Sequence, residues 1–195
     1  MSSRFEAALS RFDQENSQDP NTVVRDGHSS PRELAYSKWL TDWVLKLRPE
    51  ASEALRLAAR SQHLCRWLIP RQSYRMTRAG YLQWREALKK FHADKSGQVL
   101  REAGYDEGMI SRVQSLNLKK NLASDSETQI LEDALCLVFL EHQFAELVDK
   151  TPEDKMIHIL QKTWSKMSAS GCAIARSLTL PQREKSLLEK ALRQA

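Results

Sequence analysis

Histidine, carboxylate and arginine side chains set among apolar helical positions are the residues of this chain best suited to do chemistry. Glu33, Gln62-His63, His92 and Glu132-Asp133 each interrupt an otherwise apolar helical pattern. His63 shares a helix face with Arg60 and Arg66, a setting that favours a neutral imidazole fit for a metal or a hydrogen bond. His92 follows Leu88 and Phe91, where a ligand and a hydrogen-bonded structural histidine are both admissible. Asp133 has Ile130, Ala134 and Leu137 as helical neighbours, so it is expected near the interior, where a carboxylate needs a metal or an arginine beside it. Glu132 is its companion in acid–base work or the exposed member of the pair. Glu33 has a second explanation, as the return partner of a capping box in Ser30-Pro31-Arg32-Glu33.

Cations gather in the same part of the chain. Between Arg56 and Lys90 seven arginines and two lysines face one glutamate, so this stretch carries about +8 of a net charge of +5. Something anionic is expected to meet it. Arginine greatly outnumbers lysine there, as bidentate phosphate recognition favours. Arg66, Arg71, Arg78 and Arg85 flank or lie in the irregular segment 70–78, which can fold over a pocket. They are the candidates to neutralise a phosphorylated small molecule, and RNA is the alternative polyanion. Lys119 and Lys120 read as a solvated face within reach of a phosphate. Trp67 and Trp84 adjoin Arg66 and Arg85, so they stack on a base, stack on guanidinium groups, or pack in the core.

Composition removes several classes. At 195 residues, 41% hydrophobic and 28% charged, the chain reads as one ordinary globular domain. It lacks an apolar run long enough to span a bilayer, and Met1-Ser2-Ser3-Arg4-Phe5-Glu6 has no signal-peptide core, so no membrane is expected and the cytoplasm is the expected address. Cys65, Cys136 and Cys172 are odd in number and far apart, and Cys136 reads as a small buried hydrophobe. Walker, dinucleotide, H-E-x-x-H and G-x-S-x-G motifs are absent.

The elements that must position these residues are helices throughout. Phe5, Ala8, Leu9 and Phe12 predict a helix over 4–14, residues 15–29 a polar loop or flexible arm, and Ser30-Pro31 the start of a helix ending before Pro49. Further helices are predicted over about 50–67, 80–103, a short one around Met109–Leu118, then 126–149 opened by a capping box at Ser124-Asp125-Ser126-Glu127, 153–167 and 182–194. No period-two strand is legible.

Several segments together resemble a known family. Gln62-His63-Leu64-Cys65-Arg66-Trp67, Pro70-Arg71, Gly80-Tyr81-Leu82-Gln83-Trp84-Arg85, Leu131-Glu132-Asp133-Ala134-Leu135-Cys136-Leu137-Val138-Phe139-Leu140-Glu141 and Lys162-Thr163-Trp164-Ser165-Lys166-Met167-Ser168 resemble the family described as domain of unknown function 4202, from roughly residue 19 onwards. More distantly, the order of helices carrying Glu33, Gln62-His63, His92 and Asp133 is similar to the all-helical HD superfamily of metal-dependent phosphohydrolases. That likeness implies an all-α, single HD-like domain over 1–195 of about seven to nine helices, with a core over 30–149 and C-terminal helices over 150–195. It further implies a divalent ion (Mn, Fe or Zn) held by His63, His92, Asp133 and Glu33, and water activated at Glu132 and Asp133. The pair that should read His-Asp is Gln62-His63, and the first histidine is Glu33. This departure favours a catalytically silent module that binds a nucleotide or RNA through its basic face.

Overall fold

The computed structural model describes residues 3–25 and 27–193, and they are all-α apart from one small hairpin. Ten α-helices occur among them: α1 (Ser3–Asn16), α2 (Arg32–Leu47), α3 (Glu53–Ser61), α4 (Arg78–Glu102), α5 (Glu107–Asn117), α6 (Ser126–Val138), α7 (Phe144–Val148), α8 (Glu153–Trp164), α9 (Ala169–Ser177) and α10 (Gln182–Arg193). The helix expected over 126–149 is interrupted by a π-helical stretch, Phe139–Gln143, and α9 was not anticipated. No helix of the described residues is long and apolar enough to cross a membrane.

Two compact units make up the chain, Met1–Thr128 and Gln129–Ala195. In the first, Phe5, Ala8 and Phe12 form the buried stripe of α1, and Leu40 and Val44 that of α2. Leu55, Leu57 and Ala58 of α3 are buried, as are Ile110, Val113 and Leu116 of α5. Helix α3 packs on both α2 and α5, while α4 lies along α5, so the residues following α3 are surrounded by neighbours. In the second unit α10 packs on α7 and α8, burying Phe144, Met156, Leu160, Leu187, Leu188 and Ala191.

Residues 15–29 differ from the loop or arm expected of them. Strands β1 (Thr22–Arg25) and β2 (His28–Pro31) pair antiparallel, with Thr22 opposite Pro31 and Val23 opposite Ser30, and Gly27 turns between them at φ +78°. The strands are short and mostly exposed, so they carry no apolar alternation to read. Because Ser30 sits in this ladder, it does not cap α2. The first turn of α2 is capped instead by Asp19, whose Oδ2 accepts from the Glu33 N–H at 3.0 Å. Asp125, rather than Ser124, likewise caps α6, accepting from the N–H groups of Glu127 and Thr128.

Candidate functional site

Helix α3 ends at Ser61, and the chain reverses through Cys65, which takes the left-handed conformation (φ 53°) normally left to glycine or asparagine. That turn lifts His63 and Arg66 to the end of α3. A single buried side chain locks it: Asn16 accepts from the Cys65 N–H through Oδ1 (2.9 Å) and donates through Nδ2 to the Glu33 carbonyl (3.4 Å). The end of α1, the turn after α3 and the first turn of α2 are thereby tied together.

Glu33 and His63 meet at this knot, with Glu33 Oε2 3.2 Å from His63 Nδ1. Tyr36, one turn along α2, stacks on the His63 ring with centroids 4.0 Å apart and planes 11° from parallel. Burial pushes the Glu33 carboxyl up to about 7, against the pull of Arg66. Burial also holds His63 well below its ordinary value, and Arg66, Arg85 and Lys119 push the same way. The contact is therefore a hydrogen bond between two groups that both favour neutrality, with one proton between them, rather than an ion pair.

Helix α4 brings the second imidazole. His92 is buried with its ring 5.7 Å from that of His63, and its Nδ1 donates to the Leu64 carbonyl at 2.9 Å. This bond fixes the tautomer, leaving Nε2 as an acceptor with no hydrogen-bond partner among the described residues. In the first unit two further buried acceptors share that condition, Gln62 Oε1 and Asn117 Oδ1. They belong to the same polar belt, in which Gln62 donates to the Asn117 carbonyl and Asn117 donates to Ser61 and Ser96.

The arginines divide into two groups. Arg66 lies 3.7 Å from Glu33 and 4.9 Å over the Trp84 ring. Burial lowers its guanidinium from the ordinary value, Glu33 opposing and Arg85 assisting. Half-buried Arg85 forms no ion pair among the described residues. Arg71 is a scaffold residue, donating to the carbonyls of Tyr74, Arg75 and Thr77. Arg78 is exposed at the first residue of α4. Trp84 takes the packing role, 9% exposed and donating from Nε1 to the Ile69 carbonyl at 2.8 Å, with guanidinium groups against its face.

Glu132 and Asp133 lie in the second unit, on α6. Asp133 is fully engaged there: Oδ1 accepts from the Ser168 N–H (2.8 Å) and from Gln129 Nε2 (3.0 Å), and Oδ2 accepts from the Ser168 hydroxyl. Ser168 caps α9 by accepting from the Gly171 N–H, so Asp133 is the buried anchor of that cap. Glu132 is 4% exposed with Lys166 Nζ at 3.8 Å. Among the described residues no group of three or more histidine, cysteine, aspartate or glutamate side chains is placed to hold a metal ion. His63 Nδ1 and Glu33 Oε2 engage each other and His92 Nδ1 engages the backbone, leaving His92 Nε2 open, while Asp133 spends both oxygens on the α9 cap. Asp133, with both oxygens engaged in that cap, is the donor that does not fit the divalent ion implied by the distant likeness.

Asn16, Asp19, Tyr36, Ser168 and Gly171 were not among the residues the sequence pointed to. Each acts through a partner 14 or more residues away, and no local pattern records such a bond.

No curated protein and no solved structure matches the chain. The family model described as Domain of unknown function (DUF4202) matches residues 6–188, nearly the whole sequence, and on that match the chain belongs to the DUF4202 family.

Proposed function

We propose that the first unit binds a phosphorylated small molecule, such as a nucleotide, at the cluster formed by His63, Glu33, Arg66 and Arg85. The observation that carries this reading is an imbalance of charge. Arg66 is desolvated and Arg85 has no ion pair among the described residues, while the carboxyl beside Arg66, Glu33, is pushed up to about 7 and half protonated near neutrality. Desolvated positive charge without a full counter-charge is unstable unless an anion supplies it. A phosphate offers several acceptor oxygens to guanidinium groups and to a neutral imidazole together. Hydrolysis of a phosphoester or phosphoanhydride is what the HD likeness adds. Binding is the part the geometry supports best, because Glu33 and His92 lie beside His63 but no group of three or more such donors is placed to hold a metal ion among the described residues. Three cysteines that form no disulfide among the described residues suit the reducing cytoplasm in which such ligands are abundant.

The test is a calorimetric titration of the protein with a nucleoside monophosphate and with a tRNA-sized RNA, each at two salt concentrations. Saturable mononucleotide binding is expected, weakened by about 1–3 kcal/mol in Arg66→Gln and in Arg85→Gln with helix content unchanged. Tight RNA binding that falls steeply with salt, with no mononucleotide response, overturns the reading in favour of a nucleic-acid module.

A further inference from the structure

Apolar exposure in this molecule is concentrated. The large hydrophobic side chains most open to solvent among the described residues are Leu68 (60%), Met76 (77%), Tyr81 (45%), Leu82 (57%) and Val24 (64%). Four of these five fall within the fifteen residues 68–82. The same stretch is uniformly basic: from Arg66 to Arg85 there are five arginines, no lysine and no acidic residue. Arg75 and Arg78 are exposed between the apolar side chains.

This surface is held in shape. Arg71 gathers three carbonyls of the loop, as described above, and Gly80 lies so close beneath it that a Cβ there would come within 2.1 Å of the Arg75 carbonyl oxygen. Trp84 pins the loop's start through the Ile69 carbonyl. Met76 and Arg75 thus stand on a braced segment that loses little freedom when it is covered.

We propose that this loop and the first turns of α4 form a docking surface for a protein partner presenting an acidic, partly apolar segment. The residue types decide the class of partner. Arginine, methionine and tyrosine are enriched in the cores of protein interfaces, whereas lysine, glutamate and aspartate are depleted, and this patch follows both halves of that rule. Single-stranded RNA would need open aromatic faces for its bases. Tyr81 is the one aromatic ring exposed here, and Trp84 already carries Arg66 and Arg71 on its face. A bilayer surface calls for lysine-rich, tryptophan- or phenylalanine-bearing faces, and the exposed apolar side chains here are aliphatic ones with a tyrosine. Acidic side chains on the partner would complement the arginines, and its apolar side chains would cover Leu68, Met76 and Leu82. The inference stands apart from the His63 cluster, since neither Arg75 nor Arg78 belongs to it.

A photo-crosslinking amino acid placed at Met76, in the full chain expressed in its own host, tests it. The expected result is one dominant protein adduct whose cross-linked peptide is rich in aspartate or glutamate. Its yield should fall about tenfold in the Arg75→Glu, Arg78→Glu chain while circular dichroism is unchanged. The same crosslinker at exposed Lys38 should give no such adduct. A nuclease-sensitive adduct, many unrelated adducts, or none overturns the proposal. So does binding of the purified chain to a 12-nucleotide RNA or to phosphatidylserine vesicles that the double substitution abolishes.

Discussion

Asn16 shows how much a single side chain organises here. It is completely buried and satisfies a backbone donor of the left-handed Cys65 turn together with a backbone acceptor of the first turn of α2. Asn16→Ala leaves the Cys65 N–H buried without a partner, which costs about 1–3 kcal/mol, and removes an extra contact to the Glu33 carbonyl, which its own helix still engages. Chemical denaturation should therefore show Asn16→Ala destabilised by at least that much, and ligand binding at the His63 cluster weakened with it. Asn16→Asp separates the two bonds: the carboxylate still accepts from Cys65 but cannot donate to Glu33, so an intermediate loss is expected. A stability equal to the parent in the alanine variant would show that the turn is held by its packing alone. The residues of the cluster itself were largely legible. Glu33, His63, His92 and Arg66 stand out as polar groups on apolar helices, and the structure brings these four together. Asn16 was not legible, because a polar residue in a polar stretch looks the same whether it faces solvent or bolts two helices together.

At the level of elements, periodicity located eight helical segments, one of which spans both α6 and α7, since apolar residues recur on one face of each. Its failures share one cause: caps and short elements whose partners are distant in sequence. Ser30 and Ser124 have capping-box spacing, yet Asp19 and Asp125 perform the capping, because β2 claims Ser30 and Arg112 claims Glu127. Helix α9 carries small apolar residues and a single large one, Ile174, and was missed, being anchored by its cap. Asp133 and Ser168 build that cap, and Gly171 must remain glycine because a Cβ would lie 2.7 Å from the Asp133 carboxylate carbon. Gly171→Ala should destabilise the second unit by about 1–3 kcal/mol, the usual penalty for overpacking a fixed site. In an Asp133→Ala background the obstruction is gone, so the alanine at 171 should then be nearly neutral. Urea unfolding of the four chains of this double-mutant cycle checks it, and strictly additive losses would mean that the two residues do not interact.

For the whole molecule, the basic stretch is only partly balanced, by carboxylates from remote positions. Asp13 holds Arg60 in a two-point ion pair, and Glu33 lies near Arg66. Most of the positive excess stays on the surface or around His63, which ties stability to pH through three groups that folding desolvates. Folded Glu33 keeps its proton up to about pH 7, whereas an unfolded glutamate releases it near 4.5, so this group stabilises the fold fully below 4.5 and less as pH rises towards 7. His63 and His92 act in the opposite sense. Both stay neutral in the fold, whereas unfolded imidazoles take up protons below 6.5, so their contribution is full above 6.5 and falls on acidification. Between about pH 5 and 6.5 unfolding gains two protons at the histidines and loses one at Glu33. Stability should therefore rise with pH at up to about 1.4 kcal/mol per unit over that interval. Glu33→Gln removes the opposing group and should make the slope about twice as steep, while His92→Gln should nearly flatten it. Four of the five tryptophans, Trp39, Trp43, Trp67 and Trp84, lie in the first unit, so fluorescence-detected urea unfolding reports on the unit that contains all three groups. A slope that Glu33→Gln leaves unchanged would mean that the carboxyl is ionised in the fold. Glu33 would then balance Arg66 itself, and the charge imbalance from which phosphate binding is argued would disappear.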